Sequence, residues 1–325
     1  MSRNAEQKIK LLILYEILQK NTDSEHPMTT QAIIKALREY GIEVNRKTIY
    51  EDISVLNKYG YEVCCDKSRS NCYYVEERKF ERPEIEFLLN AVGAAKFLTE
   101  KKTSALTEKI AEMLGLPQSE TLKSTVIKCD KRNNEQIYYS IDAITSAILE
   151  QKQVSFLYFD YGLKGEKIYR RDKQRYKVNP LGMVYSGDNF YLVCFREKYG
   201  EPANYRIDRM DNVIVEDAGI VKLKKFENFD MRSYKKELFS MYTGEKVDVT
   251  LSFPTNLLEI VMERFGEDNQ PVKTAIAEYT IKVPIQVSKT FFSWLTTFEG
   301  QVKIQAPERV REQYRSFLNT LLENF

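Results

Sequence analysis

Histidine is nearly missing from this chain: His26 is the only one among 325 residues. That excludes most histidine-based triads, which need an imidazole beside a second reacting group. It also leaves a four-ligand zinc site without its usual donors, so no metal is expected. Cysteine is scarce too. Cys64, Cys65, Cys72, Cys129 and Cys194 form an odd set with two adjacent members, which argues against a disulfide framework. Cys64, Cys65 and Cys72 read either as oxidant sensors or, more simply, as small buried side chains. No run of 18 apolar residues occurs, so no membrane-spanning helix and no membrane partner is expected. The opening MSRNAEQKIKLLIL lacks a secretory cleavage pattern, and the expected location is the cytoplasm. Charge of one sign is lacking as well: 49 Lys and Arg face 47 Asp and Glu, a net of +2. Any nucleic-acid role must therefore rest on local patches. Neither a GxxxxGK(S/T) phosphate loop nor HExxH is present. Glu51-Asp52 and Glu267-Asp268 are the carboxylate pairs that metal-assisted cleavage would need, but nothing ties them to a pocket. No catalytic residue, cofactor or metal is assigned, and the chain is expected not to be an enzyme.

What is present is organised around Asn45–Gly60, NRKTIYEDISVLNKYG. Asn45 can cap a helix through its side-chain oxygen. Ile49, Ile53 and Leu56 fall at i, i+4 and i+7 and make one apolar stripe. Arg46, Lys47, Thr48, Tyr50, Ser54 and Asn57 lie largely opposite. Such a face suits a DNA major groove, where cations meet phosphate or guanine and amides meet adenine. Any surface helix also has a polar face, and Glu51 and Asp52 would repel phosphate if they shared it.

The flanks raise the first reading. Lys8–Lys20 has Ile9, Leu12, Ile13 and Ile17 at helical spacing, widened by Leu11, Leu14 and Leu18. Thr29 or Thr30 can cap a second helix over Gln31–Tyr40, with Ile33, Ile34 and Leu37 inward. Tyr61–Val75 alternates two β-rich runs around a polar tip, Asp66–Asn71, which predicts a hairpin. Three helices and a hairpin in this order predict a winged helix-turn-helix over 1–80, with Lys67 and Arg69 at the tip within reach of phosphate. Residues 81–133 read as a helical linker whose apolar faces could dimerise, since two-fold proteins match palindromic sites. A further helix, Tyr138–Glu150, carries Ile141, Ile144, Ile148 and Leu149. Strand signals follow at Val154–Tyr161, Arg175–Tyr185, Asn189–Phe195 and Ala203–Asp208, which suggest a small barrel.

Within that barrel Tyr176-Lys177-Val178-Asn179-Pro180-Leu181, Asn189-Phe190-Tyr191-Leu192-Val193 and Tyr205-Arg206-Ile207-Asp208-Arg209-Met210 resemble the WYL family, with Phe190 where that family usually has Trp. The N-terminal part is similar to the DeoR-like module that often precedes WYL. The resemblance implies a transcription regulator, expected to be a repressor. Its SH3-like or Sm-like barrel over 134–225 would bind an anionic effector, a nucleotide or single-stranded nucleic acid. The family's ligand side maps onto Tyr191, Arg206 and Arg209, while Ala203 stands where many relatives have another Arg. The residues agree in sign. Lys164, Lys167, Arg170, Arg171, Lys173, Arg175 and Lys177 face only Glu166 and Asp172, and clustered arginine suits phosphate. Arg175 and Tyr176 join the expected effector set. Against this, charged hairpins are usually solvated, strand tyrosines are usually half-buried, and Asp208 beside Arg209 can be a structural ion pair.

Residues 246–325 alternate strand (Val247–Phe253), helix (Asn256–Phe265), strand (Ala275–Val287), helix (Ser288–Phe298), strand (Gln301–Ile304) and helix (Glu308–Leu322). This resembles the α+β extension after many WYL domains and is expected to be ferredoxin-like. The fold class is thus multidomain α+β. The expected partners are double-stranded DNA, the anionic effector and a second copy in a homodimer. A nucleic-acid-processing enzyme and a sensor of protein partners are the competing readings.

Overall fold

The computed structural model describes residues 3–67, 71–126, 129, 135–197, 200–266 and 269–324. The chain divides into two compact units, 1–133 and 134–325.

The first unit begins with α1 (Arg3–Asn21), β1 (Met28–Thr29), α2 (Thr30–Glu39) and α3 (Arg46–Lys58), followed by β2 (Cys64–Asp66) and β3 (Cys72–Tyr74). Thr29 caps α2, accepting from the Ala32 N–H at 3.2 Å. Asn45 caps α3, accepting from Thr48 N–H at 2.9 Å. Ile49, Ile53 and Leu56 are buried with Ile33, Leu37, Leu14, Ile17 and Leu18, so the α3 stripe faces a real core. The three strands order as β1-β3-β2. The two-residue β1 has no periodicity to betray it, and only its partner Met28↔Tyr73, Thr29↔Cys72 makes it a strand.

Two details differ from expectation. The apolar residues of helix α1 are spread around its circumference, so composition does not choose its inward face. Leu14, Ile17 and Leu18 are buried while Ile9 and Leu12 are exposed. The inward face also carries Lys10, whose Nζ lies 2.8 Å from Asp52 Oδ2, with side chains only 7% and 11% exposed. Asp52 therefore points inward and does not oppose phosphate on the outer face. Burial raises its carboxyl pKa, while Lys10 acts in the opposite sense.

The rest of the unit is helical: α4 (Arg82–Ala94), α5 (Glu100–Ala111) and α6 (Leu116–Thr125). Ile85, Leu89, Ala111, Leu114 and Leu122 form its own small core. Arg78 joins the two parts. It donates to Thr22 O at 2.6 Å and Leu114 O at 3.3 Å. Gly115, at φ +91°, lets the chain pass close to Lys20; an added Cβ would lie 3.1 Å from the Lys20 carbonyl.

The second unit opens with α7 (Gln136–Leu149), β4 (Lys152–Tyr161), β5 (Lys167–Tyr169), β6 (Tyr176–Ser186), β7 (Asn189–Phe195), β8 (Pro202–Arg206) and β9 (Met210–Gly219). Helix α7 buries Ile137, Ile144 and Ala147, whereas Leu149, expected inward, is exposed. The sheet runs β5-β4-β6-β7-β8, and β9 pairs with β4. β6 and β7 close through Gly187 and Asp188, both at positive φ, as a two-residue hairpin requires. β4 is the hub, pairing β6, β9 and β5. Phe156 pairs Tyr176 and Phe159 pairs Tyr169, so three steps along β4 face seven along β5–β6. The four surplus residues are Arg170–Lys173, a tight turn looped out of the sheet.

Helix α8 (Met231–Glu237), in a stretch the sequence left unassigned, follows β9. Then come β10 (Glu245–Pro254), α9 (Leu258–Phe265), β11 (Val272–Ala275), β12 (Glu278–Val287), α10 (Lys289–Thr296), β13 (Lys303–Ala306) and α11 (Glu308–Glu323). The strand order is β11-β12-β10-β13, with each neighbouring pair antiparallel. The strand expected over Ala275–Val287 is instead a hairpin, with Ala275 pairing Glu278. Its turn, Ile276-Ala277, contains no glycine, proline, asparagine or aspartate to mark it. Val249, Leu251 and Phe253 pack with Val261, Phe265, Phe291, Phe292 and Leu295. Most of the aromatic density of α10 thus fills a core. Among the described residues no helix is long and apolar enough to cross a membrane.

Candidate functional site

Two surfaces carry the residues singled out from the sequence. On α3, Arg46, Lys47, Tyr50 and Ser54 are exposed and Thr48 is half-exposed. The helix is entered through the Asn45 cap, so Arg46–Thr48 occupy its first turn. Thr48 Oγ1 also donates to Asn45 Oδ1 at 3.1 Å. Lys47 lies 3.9 Å from Glu51, a contact too loose and too wet to hold it. Tyr50 leans toward Tyr73 of β3, with ring centroids 6.4 Å apart. Lys67 is exposed beside the hairpin tip; Arg69 lies outside the described residues.

Asn57 behaves differently from expectation. Its Oδ1 accepts from Val63 N–H at 2.7 Å and its Nδ2 donates to Val63 O at 3.2 Å. The amide is thus engaged with the chain entering β2 and is not available to an adenine edge in this arrangement. It is a fastener between helix and hairpin. Its i+6 spacing to Val63 across Gly60 is compatible with such a link, but only the fold reveals it.

The second surface lies on β4, β7 and β8. Tyr191 pairs directly with Arg206 across the sheet, which puts their side chains on one face. Arg206 donates Nε to Asp208 Oδ1 at 3.0 Å and Nη2 to Asp208 Oδ2 at 2.9 Å, and to Asn189 Oδ1 at 2.6 Å. Their side chains are 21% and 3% exposed. Arg209 Nη1 lies 2.8 Å from Asp160 Oδ1. Asp160 also receives Arg170 through two bonds, at 2.7 and 3.0 Å. The expected ion pair at Asp208 therefore exists, but its partner is Arg206 and not the adjacent Arg209. The Arg170 hydrogen bond and charge, with Arg209 behind it, hold the Asp160 carboxyl below its ordinary range. Burial raises the hydroxyls of Tyr158 and Tyr191. Tyr158 Oη also accepts from the Arg206 N–H at 3.2 Å.

Tyr176 does not join this face as a ligand group. It is buried, stacked on Phe156 at 5.6 Å and 4°, in a cluster with Tyr158 and Tyr205. Arg175 stands elsewhere, donating to Ser155 Oγ at 3.0 Å, Ser155 O at 2.9 Å and Asn212 O at 2.7 Å. So the fold brings Tyr191, Arg206 and Arg209 together and separates Arg175 and Tyr176 from them. Three cations meet two carboxylates there, and the cluster is nearly self-neutralised. Sequence reasoning did not find Asp160 or Asn189, the residues that hold the arginines.

Free thiols are found throughout. Cys64 and Cys72 are half-buried, Cys65 is exposed, and Cys194 is fully buried with its thiol pKa pushed up by that burial. Among the described residues no group of three or more His, Cys, Asp or Glu could hold a metal ion. Glu267 and Asp268 lie outside the described residues.

Comparison with known proteins gives the sheet of β4–β9 a family. Residues 140–215 match the model of the WYL domain, so the chain carries a WYL domain there. No curated protein matches the chain. Proteasome accessory factor B/C of Arthrobacter aurescens is similar in structure at 16% identity and a TM-score of 0.31, covering 98% of this chain and 49% of that one. The chain therefore spans about half the length of that protein. A structure described as a CRISPR Cas-related protein matches at 14% identity and a TM-score of 0.37, covering 100% of this chain and 87% of that one. Likenesses of this size say nothing about what this chain does.

Proposed function

We propose that the chain is a DNA-binding transcription regulator whose WYL domain takes an anionic effector. The observation that carries this is α3. Its buried Ile49–Ile53–Leu56 stripe seats it firmly, while Arg46 and Lys47 stand exposed in its first turn, Lys47 with only a loose, solvent-exposed contact to Glu51 at 3.9 Å. Cations so placed give phosphate affinity, and Thr48, Tyr50 and Ser54 can set register on base edges. Residues 1–80 are read as a winged helix-turn-helix, supported by three helices and the β1-β3-β2 sheet. Residues 81–133 are read as a helical dimerisation linker. The barrel over 134–225 is read as SH3- or Sm-like, supported by the three-partner strand β4. Residues 246–325 are read as ferredoxin-like, supported by the β-α-β-β-α-β order and the strand order β11-β12-β10-β13.

On this reading the protein is a cytoplasmic homodimer, without catalytic activity, acting as a repressor. An effector changes DNA affinity only by binding the two states of the dimer unequally. The test is selection of bound genomic fragments by the purified protein, with and without added nucleotides and short single strands. Recovery of an inverted repeat, shifted by an anion, is the expected result. Salt-sensitive binding without a preferred site defeats it. The competing readings would surface in the same experiment, as Mg²⁺-dependent turnover of the fragments or as a stable hetero-complex without DNA binding.

A further inference from the structure

Five of the seven cations of 164–177 separate into two groups once folded. Arg170 is bound to Asp160, and Lys167 lies 2.9 Å from Asp211, which also accepts from the Tyr169 hydroxyl at 2.6 Å. Arg175 donates to the two backbone carbonyls and the hydroxyl already described. These three hold the sheet together. Arg171 and Lys177 do something else: with Arg196 they line a cavity of about 660 Å³.

The floor of that cavity is amide. Gln153 and Asn179 are buried, with Gln153 Nε2 donating to Asn179 Oδ1 at 3.1 Å. Asn179 Oδ1 also accepts from Val221 N–H at 2.7 Å, so the floor is fixed. Gln174 adds to the polar wall, and among the described residues Glu197 is the one carboxylate in the lining. Lys177 has a second acidic neighbour, Glu216, at the long distance of 3.9 Å.

The looped-out turn places Arg171. Arg171, Asp172 and Lys173 take φ of +53°, +49° and +64°, a left-handed run without glycine. Side chains rarely adopt that conformation in series, so the surrounding fold imposes it. The Arg171 guanidinium then lies over the Tyr176 ring, 4.2 Å from its centroid. A guanidinium over a ring face leaves N–H donors for an acceptor such as phosphate.

We propose that this cavity is a phosphate-binding site, in which Arg171, Lys177 and Arg196 hold the phosphates of the effector in place of Arg206 and Arg209. The inference rests on the reading that the WYL domain takes an anion, and it moves the place where it does so. The ligand class is a compact organic polyphosphate, a nucleoside di- or triphosphate. The volume falls within the usual range for small-molecule sites. Three cations above a fixed polar floor suit two or three phosphates. Among the described residues the lining has no aromatic side chain, and single strands are ordinarily held by stacking on such rings.

The test uses the full chain and calorimetric titration with tripolyphosphate, adenosine triphosphate and a short oligothymidylate. Arg171→Asn with Lys177→Gln removes two cations; asparagine tolerates left-handed φ, so the turn is kept. Lys177→Gln alone, on an exposed strand position, is the second variant. Arg209→Gln probes the other cluster. Wild-type binding of the triphosphates, weakened about tenfold or more in the double variant and less in Lys177→Gln, with Arg209→Gln close to wild type, supports the site. Loss in Arg209→Gln with the double variant unchanged overturns the site but keeps the anionic effector. Binding of the oligothymidylate alone overturns the ligand class. No binding of any probe by the wild type overturns the effector reading and the site together.

Discussion

On α3, Arg46 and Lys47 stand in solvent, and the nearest acid to Lys47 is Glu51 at 3.9 Å. On the WYL sheet, Arg206 and Arg209 lie within 2.9 Å of carboxylates that the fold itself supplies. Both pairs look alike in sequence, as basic residues in a promising motif. The difference is whether the charge has already been answered. An exposed cation without a partner keeps its affinity for an incoming anion. A half-buried one must be paired, because burying a lone charge costs several kcal/mol. A basic motif on a sheet of this kind therefore contains structural arginines as well as any binding ones, and only geometry sorts them.

The comparison is broken most sharply at Asp208. Asp208→Asn leaves Arg206 half-buried without its anion, and stability should fall by about 3 kcal/mol. Urea unfolding measures it; a change under about 0.5 kcal/mol would mean that Arg206 is not structural. Next in size is the opposite case. Arg46→Ala with Lys47→Ala should leave the unfolding midpoint almost unchanged, yet weaken duplex binding by tenfold or more and reduce the slope of log affinity against log salt by about 2. Fluorescence anisotropy at several salt concentrations reads both. Asn57→Ala comes third. It removes both bonds to Val63 and should cost about 1–2 kcal/mol of stability, in contrast to its exposed neighbours. An equal affinity loss with no stability loss would return Asn57 to the reading face.

The smallest effect is acid sensitivity at Asp160. Its folded-state pKa lies below the ordinary 3.8, through Arg170 first and Arg209 after it. The stabilisation is therefore present above that ordinary value and is lost as pH falls through the lowered one. Thermal melts from roughly pH 6 to pH 2 should show a steeper acid decline in the wild type than in Asp160→Asn. Parallel curves would show that the two arginines do not depend on that carboxylate.

Much of α3 was readable in advance because its signals are local: a cap, a stripe at helical spacing, a terminal glycine. The direction of Asp52 was not, since it depends on Lys10 from a helix whose apolar residues surround it. The Arg206 pairing was half visible, with the acid identified and its partner misassigned by three residues. The left-handed run at Arg171–Lys173 had no signal at all, because nothing in RRDK marks it and the pairing of β5 and β6 with β4 imposes it. β1 and the Ile276-Ala277 turn were missed for the same reason: each exists through its partner strand.

The bond between Asn57 and Val63 has a consequence in time as well as in structure. The Val63 amide hydrogen points at a helix side chain and not at another strand. It can exchange with deuterium when that side chain lets go, as when the hairpin and α3 part company, or when the whole unit opens. One amide thus serves as a clock for that separation. Its exchange rate, read beside those of the α3 backbone, would tell whether helix and hairpin breathe separately or move as a single rigid jaw.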